Sequence, residues 1–405
     1  MKKPDLRQAM LCISFYCFIL PYSINIGGEG IGANYSFILL PLYLIIKDHK
    51  ICRPLDVFLY AILIYTCIFI VASLYQTEFI DQSARRACSF ILFLSIFSFI
   101  FIRIDSRMLN AFKFALIAMT VYFSAHAVIV FMISGGASLG YEAKDLVGTQ
   151  RIGFMYLLAF WLLVCDFRRI PVYFFIKYLM IAVTICGIFL TYSRASIVSL
   201  LGSSLLYTGY HVYSWVKNPA IRPVLKGIYY IIGAMVAVTV IFLYLPNTVH
   251  FFDDRLFTMA VDSQRLDEAL DDQDSSEGTR FLILKMIINF VSLNPLTGTG
   301  YLGSWAISDG LLGSAHSQYT DVLLRTGVFG LLIYLWLLLL TLKYLYVKER
   351  ALFWGVLAVL IYGFFHETFK ETQGTVVLAF LFGLMQQHEV ILIRRPQSIG
   401  LSYSK

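Results

Sequence analysis

The sequence predicts an all-α membrane protein that crosses the bilayer about twelve times. Of its 405 residues, 59% are hydrophobic and 14% are charged, whereas about 25% of the residues in an average soluble domain are charged. The mean hydropathy is +0.74. This composition excludes a soluble globular enzyme. It also excludes an intrinsically disordered chain, which would be polar and highly charged.

Apolar segments long enough to cross the hydrocarbon core, about 20 residues each, recur along the chain. The first is interpreted as an uncleaved span, because Pro21 interrupts its apolar run and no small-residue cleavage site follows. The second is short and contains Pro41. The twelve predicted spans lie near 8–26, 34–47, 56–75, 87–103, 113–135, 152–167, 170–190, 195–214, 226–246, 326–343, 351–366 and 374–393.

The distribution of basic residues predicts the direction of these spans. If the N-terminus is cytoplasmic, 21 of the 32 Lys and Arg residues fall in the seven segments on the cytoplasmic side, together with only seven acidic residues. This bias obeys the positive-inside rule and puts both termini in the cytoplasm. The net charge of +7 therefore reports orientation in a membrane, and no nucleic-acid partner is expected.

The spans divide the chain into three regions. Residues 1–246 hold nine predicted helices, residues 247–318 form one large outer loop, and residues 319–405 hold three more helices and a cytoplasmic tail. The loop contains ten acidic and four basic residues. Within it, an apolar run follows Gly278-Thr279 and ends at Asn294-Pro295, which predicts a helix that lies on the membrane or packs on the bundle.

Three residues of the outer side have the chemistry of a transfer site. Arg194 lies in the tight turn TYSRAS, Arg280 begins the apolar helix of the loop, and His316 lies where the chain re-enters the membrane. Arginine binds phosphate oxygens with two parallel bonds, a helix N-terminus favours anions, and histidine accepts a proton near neutral pH. Together they predict transfer of a group from a phosphate-bearing lipid to an alcohol.

Other interpretations of these residues remain open. Arg194 can be a snorkelling anchor at the interface, Arg280 can pair with Glu277, and His316 can be a capping residue. The i, i+4 spacing of Asp321 and Arg325 favours a helical salt bridge, and Glu367 is spaced to pair with Lys370. Trp305 is typical of an interfacial aromatic belt, although a sugar can stack on it. No metal is expected, because these candidates contain no Asp-x-Asp pair and no His/Cys cluster.

Three stretches together resemble the O-antigen ligase-related superfamily, which includes O-antigen and exopolysaccharide polymerases and O-antigen ligases. They are LTYSRASIVSLL, GTRFLILKMIINFVSLNPLTGTGYLGSW and AHSQYTDVLLRTGVFGLLIYL, within about residues 186–340. The resemblance implies a GT-C-like architecture with one large periplasmic loop between spans nine and ten. It also implies a site on the periplasmic side of the bacterial inner membrane.

The resemblance also implies roles for individual residues. Arg194 and Arg280 match arginines that look like the diphosphate-binding pair, and His316 matches a residue that looks like the catalytic base. The donor is then a glycan on undecaprenyl diphosphate, and the reaction is metal-independent and inverting, with no cofactor. VGTQRIGFMY keeps Arg151 and Gly153 of the family's upstream motif but lacks its Pro-Asn. Further candidates for substrate binding are Arg151, Tyr319, Arg325 and Trp305.

The sequence favours a polymerase, which moves a growing glycan onto a new lipid-linked repeat unit. AHSQYTDVLLRTG resembles polymerases somewhat more than ligases, which move the finished chain onto lipid A-core. The expected partners are undecaprenyl-diphosphate-linked oligosaccharides, membrane lipids and a chain-length regulator. A lipid-linked oligosaccharide flippase is the alternative of another class. It would need polar groups near the bilayer midplane, which these spans nearly lack.

Overall fold

The computed structural model describes ten stretches of the chain. They are 23–26, 29–32, 56–74, 104–133, 153–166, 174–190, 193–217, 276–308, 315–368 and 372–393. The predicted spans 34–47, 87–103 and 226–246, most of span 8–26, and Arg151 lie outside the described residues. The number of twelve spans and the boundaries of the three regions therefore stay predictions.

The described chain is helical apart from one short hairpin. The α-helices are α1 (Asp56–Leu74), α2 (Ser106–Ile133), α3 (Gly153–Cys165), α4 (Phe174–Leu190), α5 (Arg194–Lys217), α6 (Ser276–Leu293), α7 (Gln318–Lys348), α8 (Arg350–Tyr362) and α9 (Thr372–Ile393). A 3-10 helix covers Gly300–Ala306. The strands of the hairpin are β1 (Ser23–Ile26) and β2 (Glu29–Gly32).

The hairpin corrects the prediction of one helix through residues 8–26. Strand β1 pairs with β2 in antiparallel register, with Ile26 opposite Glu29. The pair Gly27-Gly28 lies between the strands in sequence, and Gly-Gly is favoured in two-residue hairpin turns because both positions need a positive φ. A hydropathy window does not detect this, since Ile24 and Ile26 count as apolar in either a helix or a strand.

Eight predicted spans each correspond to one helix, from α1 to α5 and from α7 to α9. Among the described helices, α2 and α7 are both long and apolar enough to cross a membrane, while the apolar parts of the others are shorter. Helix α7 begins at Gln318, well before the predicted start at 326. Hydropathy does not detect its first two turns, because they carry the polar residues of QYTDVLLRT. The helical fold is consistent with a membrane protein.

Helix α3 forms the centre of the bundle. Every residue from Gly153 to Leu163 is buried, as expected for a helix that is apolar on all faces. It packs against α2, α4, α5 and α8. Its single indole N–H is satisfied inside the core, because Trp161 Nε1 donates a 3.1 Å hydrogen bond to Ser203 Oγ.

The outward faces of the helices are as apolar as the core. Ile133 is 81% exposed, Leu205 is 72% exposed and Leu339 is 63% exposed. Soluble monomers rarely present large contiguous apolar surfaces. This surface therefore fits contact with lipid.

One end of the bundle is joined by a buried lysine. Lys113 Nζ lies 2.8 Å from Asp166 Oδ2 and 2.6 Å from Glu349 Oε2. These contacts bring together the start of α2, the end of α3 and the turn between α7 and α8, a group named here the Lys113 end. All three segments were predicted to lie on the cytoplasmic side, so the structure agrees with their common placement.

The opposite end brings together the starts of α3 and α5 and the end of α8. Gly153 lies so close to Ser196 and Tyr362 that an added Cβ would meet Ser196 Oγ and come within 2.9 Å of Tyr362 Oη. This end, which also contains the start of α7, is named here the His316 end. Helices α3 and α7 therefore run from the His316 end to the Lys113 end, and α8 runs in the opposite direction.

Gly153→Ala is expected to destabilise the protein by about 1–3 kcal/mol, because the new methyl group overpacks the contact among α3, α5 and α8. Gly209→Ala is the matched control, since nothing lies within 4 Å of its added Cβ, and alanine there favours the helix by up to about 1 kcal/mol. Thermal unfolding of the detergent-purified variants measures both. An equal Tm for the two variants would contradict the packing described here.

Candidate functional site

A glycine-rich loop closes a break in helix α7. Gly327 has φ +69° and ψ −174°, which is not helical, so the bond from the Val328 amide to the Leu324 carbonyl is lost. The loop provides new partners for both the donor and the acceptor of this lost hydrogen bond. The Val328 N–H donates a 2.8 Å bond to the Pro295 carbonyl, and the Leu324 carbonyl accepts a 2.7 Å bond from the Thr299 N–H. The two peptide groups that the break frees therefore both have partners in the loop, as burial requires.

Arg325 lies buried beside this break and joins helix to loop. Its Nε lies 2.9 and 2.8 Å from the two carboxylate oxygens of Asp321. Its Nη1 donates a 2.6 Å bond to the Tyr301 carbonyl and a 3.4 Å bond to that of Gly300. The ion pair predicted from the i, i+4 spacing is therefore present. Its geometry uses the planar fork that distinguishes arginine from lysine.

Two glycines allow the loop to lie against α7. Gly298 has φ +70°, and an added Cβ there would meet the Leu324 carbonyl and the Arg325 backbone. Gly303 has φ +59°, and an added Cβ there would meet the guanidinium of Arg325. A side chain at either position would be strained by its φ and would also push the loop off the helix.

Helix α1 supports the same loop from the other side. Ser73 Oγ accepts a 2.9 Å hydrogen bond from the Tyr301 N–H and donates a 2.8 Å bond to the Phe69 carbonyl. The rings of Phe69 and Tyr301 lie 4.8 Å apart in an edge-to-face arrangement. Partial burial raises the pKa of the Tyr301 phenol. That group therefore stays protonated at physiological pH and is not a base.

His316 lies in the turn that opens α7. Of the non-glycine residues that the structure describes, His316 alone has a positive φ, +56°. Left-handed backbone is uncommon outside glycine, costs free energy and often occurs at functional sites. The side chain is half-buried. A histidine in a constrained turn at a helix start fits the predicted base.

The turn is held by the last turn of α8. The Gln318 N–H donates a 2.8 Å bond to the Gly363 carbonyl, and Ser317 Oγ contacts the same carbonyl at 3.3 Å. Tyr319 Oη donates a 2.7 Å bond to the Leu360 carbonyl. The unpaired N–H groups at the start of one helix and the unpaired carbonyls at the end of another thus satisfy each other. In the described structure the phenol of Tyr319 bonds to backbone.

Glu367 completes the turn, and sequence reasoning missed its role. Its Oε1 accepts a short hydrogen bond from the N–H of Ala315, the residue before His316. The spacing of Glu367 and Lys370 predicted an ion pair between them, but Lys370 lies outside the described residues. No local pattern signals this bond, because 52 positions separate its partners.

Arg194 lies at the His316 end of the bundle by the position of its backbone. It is the first residue of α5, directly after Ser193, whose Oγ accepts a 3.3 Å bond from the Ser196 N–H as an N-cap. Ser196 in turn lies close to Gly153 of α3. Arg151 is outside the described residues, two positions before Gly153.

Arg280 lies within α6, and its position corrects one prediction. The helix was expected to begin at Thr279-Arg280 but begins at Ser276. Arg280 is therefore one turn inside it, and its own N–H is not one of the free groups at the helix start. Of the two placements predicted for this helix, on the membrane or packed on the bundle, the structure shows the second. Ile283, Ile287 and Val291 are buried against Ala315 and Leu324. Helix α6 thus packs beside the His316 turn and the α7 break.

Trp305 lies in the 3-10 helix that follows the glycine-rich loop. It is half-buried, and Gly303, two residues before it, packs against the guanidinium of Arg325. The roles of all seven candidate residues in substrate binding or catalysis stay predictions.

The fold and this site define a class: a helical membrane protein with a candidate base and an arginine at a helix start, both at one end of its bundle. Residues 178–335 match the sequence model of the family described as O-antigen ligase. That stretch belongs to the O-antigen ligase-related superfamily, which confirms the resemblance seen in the sequence. It runs from α4 to α7 and contains Arg194, Arg280 and His316. No curated protein matches the chain.

The family match supports a general function. Members are membrane-integral, glycosyltransferase-like enzymes of bacteria that act on lipid-linked oligosaccharides, and the match over residues 178–335 indicates an O-antigen ligase- or polymerase-type function. The match does not separate polymerase from ligase.

Arg325→Lys is expected to destabilise the protein by about 1–3 kcal/mol, because lysine keeps the charge but cannot bond Asp321 and the loop carbonyls of Gly300 and Tyr301 with one planar group. Arg350→Lys is the control, since Arg350 is exposed beside the ring of Tyr346 and should change stability by about 0.5 kcal/mol at most. The measurement is thermal unfolding together with activity. A full loss of activity at wild-type Tm would instead favour substrate binding by Arg325.

Proposed function

We propose that this chain is an O-antigen polymerase. It transfers the growing glycan from undecaprenyl diphosphate onto a lipid-linked repeat unit at the periplasmic face of the inner membrane. The observation that carries the proposal is that the constrained His316 turn, the first residue of α5 and the anchored helix α6 all lie within the stretch that matches the O-antigen ligase family. Both termini lie in the cytoplasm.

The reaction forms one bond and breaks another. A hydroxyl oxygen of the acceptor sugar attacks the anomeric carbon of the donor, and the bond from that carbon to the diphosphate oxygen breaks. His316 accepts the hydroxyl proton, because a histidine side chain can act as a general base at physiological pH. Attack from the face opposite the leaving group inverts the anomeric configuration.

Arg194 and Arg280 bind the departing diphosphate in this proposal. A fixed guanidinium offsets charge as it develops on the leaving oxygens, which is the stabilisation that a metal ion supplies in other transferases. The start of α5 adds N–H groups that favour an anion beside Arg194. This arrangement makes the reaction metal-independent, as the sequence predicts. Arg151, Tyr319 and Trp305 would line the path of the glycan.

The placement of charge supports the periplasmic assignment. The Lys113 end contains segments that hold clusters of basic residues, and the positive-inside rule assigns such segments to the cytoplasm. The helices that leave this end reach the His316 end on the other side. A donor that has crossed to the periplasmic leaflet would therefore meet His316 there.

An O-antigen ligase is the second candidate, since the matching family is described by that activity. A ligase uses the same donor site but transfers the finished glycan to lipid A-core. Lipopolysaccharide from a deletion strain separates the two. Core with a single repeat unit indicates a lost polymerase, whereas bare core with lipid-linked long chains indicates a lost ligase.

His316→Ala should abolish long-chain surface glycan while protein levels stay normal, because no group then accepts the acceptor proton. His126→Ala is the matched control, since His126 is exposed on α2 beside Tyr122, and should leave the glycan ladder intact. The ladder is measured on gels of lipopolysaccharide from complemented deletion strains. A normal glycan ladder with His316→Ala would show that His316 is not the base.

A further inference from the structure

The backbone at His316 needs an external restraint. Its φ of +56° is a conformation that a histidine leaves readily when nothing opposes the change. Three bonds to the end of α8 restrain the residues after it, at Ser317, Gln318 and Tyr319. On the side before it, the Ala315 N–H donates a hydrogen bond to the Glu367 carboxylate.

That bond is suited to hold a turn. An ionised carboxylate that accepts from a backbone N–H forms a charge-assisted bond, which is roughly twice as strong as a neutral one. Ala315 is buried and Glu367 is half-buried, so solvent competes only in part for the bond. Glu367 follows the end of α8, where Gly363 accepts the Gln318 N–H. The two sides of His316 are therefore anchored to one short segment.

The start of α7 contributes a second restraint on the same residue. Thr320 Oγ1 lies 3.3 Å from the Ala315 carbonyl and 3.1 Å from the Ser317 carbonyl. Both peptide groups of Ala315 are thus bonded, one to α7 and one to Glu367. The Glu367 carboxylate is the side chain from outside α7 that restrains the position just before His316 in the described structure.

We propose that Glu367 is a positioning residue for His316. It holds the Ala315 peptide so that the imidazole is directed at the acceptor hydroxyl, and it does not itself take the proton. This inference rests on the proposed function, because it assumes that His316 is the base. It extends the site beyond the family stretch, since Glu367 lies after residue 335.

The test uses the purified full chain with lipid-linked repeat units extracted from a strain that lacks it. Glu367→Ala removes the acceptor and should lower kcat about tenfold or more, because small misplacement of a base is costly, while the donor KM stays within about twofold. Glu367→Gln keeps an oxygen that can accept the Ala315 N–H. It should recover kcat to within about threefold of wild type.

A double-mutant comparison shows whether Glu367 acts through His316. Adding Glu367→Ala to His316→Ala should cause no further loss in kcat, since the base that it positions is already absent. A further tenfold loss in the double variant would overturn the positioning role. Glu367→Asp replaces Glu367→Ala if that variant fails to fold, and an unchanged kcat with Glu367→Asp would also overturn it.

The two hypotheses fail in different ways. If His316→Ala keeps full kcat, the proposed base is wrong whatever Glu367 does. If His316→Ala is inactive but Glu367→Ala keeps wild-type kcat and Tm, the proposed function stands and the role of Glu367 is wrong. If Glu367→Gln is as impaired as Glu367→Ala, acceptance of the Ala315 N–H is not what matters, and the inference is overturned.

Discussion

The break in α7 at Gly327 is the feature on which the described half of the site depends. A helix that loses one backbone bond inside a low-dielectric bundle must pair both freed groups elsewhere, because each unpaired group costs about 1–3 kcal/mol. Pro295 and Thr299 provide these partners. The glycine-rich loop is thereby bound to α7, and Arg325 adds a charged contact from inside the helix. Helices α1 and α6 then pack on this loop and on α7, beside the His316 turn.

Part of this arrangement could be predicted from the sequence, and the limits have physical causes. Hydropathy predicts the helices well, since a span needs a run of apolar residues whatever its neighbours are. The pair Asp321 and Arg325 was predicted correctly because i, i+4 contacts are local. The start of α6 was predicted four residues late, because a helix start depends on capping that apolar periodicity does not record. The bond between Glu367 and Ala315 could not be predicted, since it joins residues far apart in sequence. The hairpin was missed because strand and helix composition are alike over four residues.

The two ends of the bundle are built differently, and the difference fits their proposed roles. At the Lys113 end, one buried cation lies between two carboxylates. Such a network joins helices, and each of its charges has an opposite charge beside it. At the His316 end, helix starts and ends meet, and their backbone groups pair with one another and with Glu367. Rigid elements that direct a few polar groups at one place are what a transfer site requires. The proposed glycan transfer needs this preorganisation at the point where the lipid diphosphate would leave.

If the proposed function is correct, the chain catalyses glycan transfer with release of a lipid diphosphate. The direct measurement uses the purified protein in lipid nanodiscs with lipid-linked repeat units and a metal chelator. Glycan length and free polyprenyl diphosphate are followed together. We expect one diphosphate lipid to be released for each repeat unit added, at an undiminished rate in chelator. Intact lipid-linked units with no diphosphate released would contradict it, and movement of those units between leaflets of sealed vesicles would then indicate a transporter.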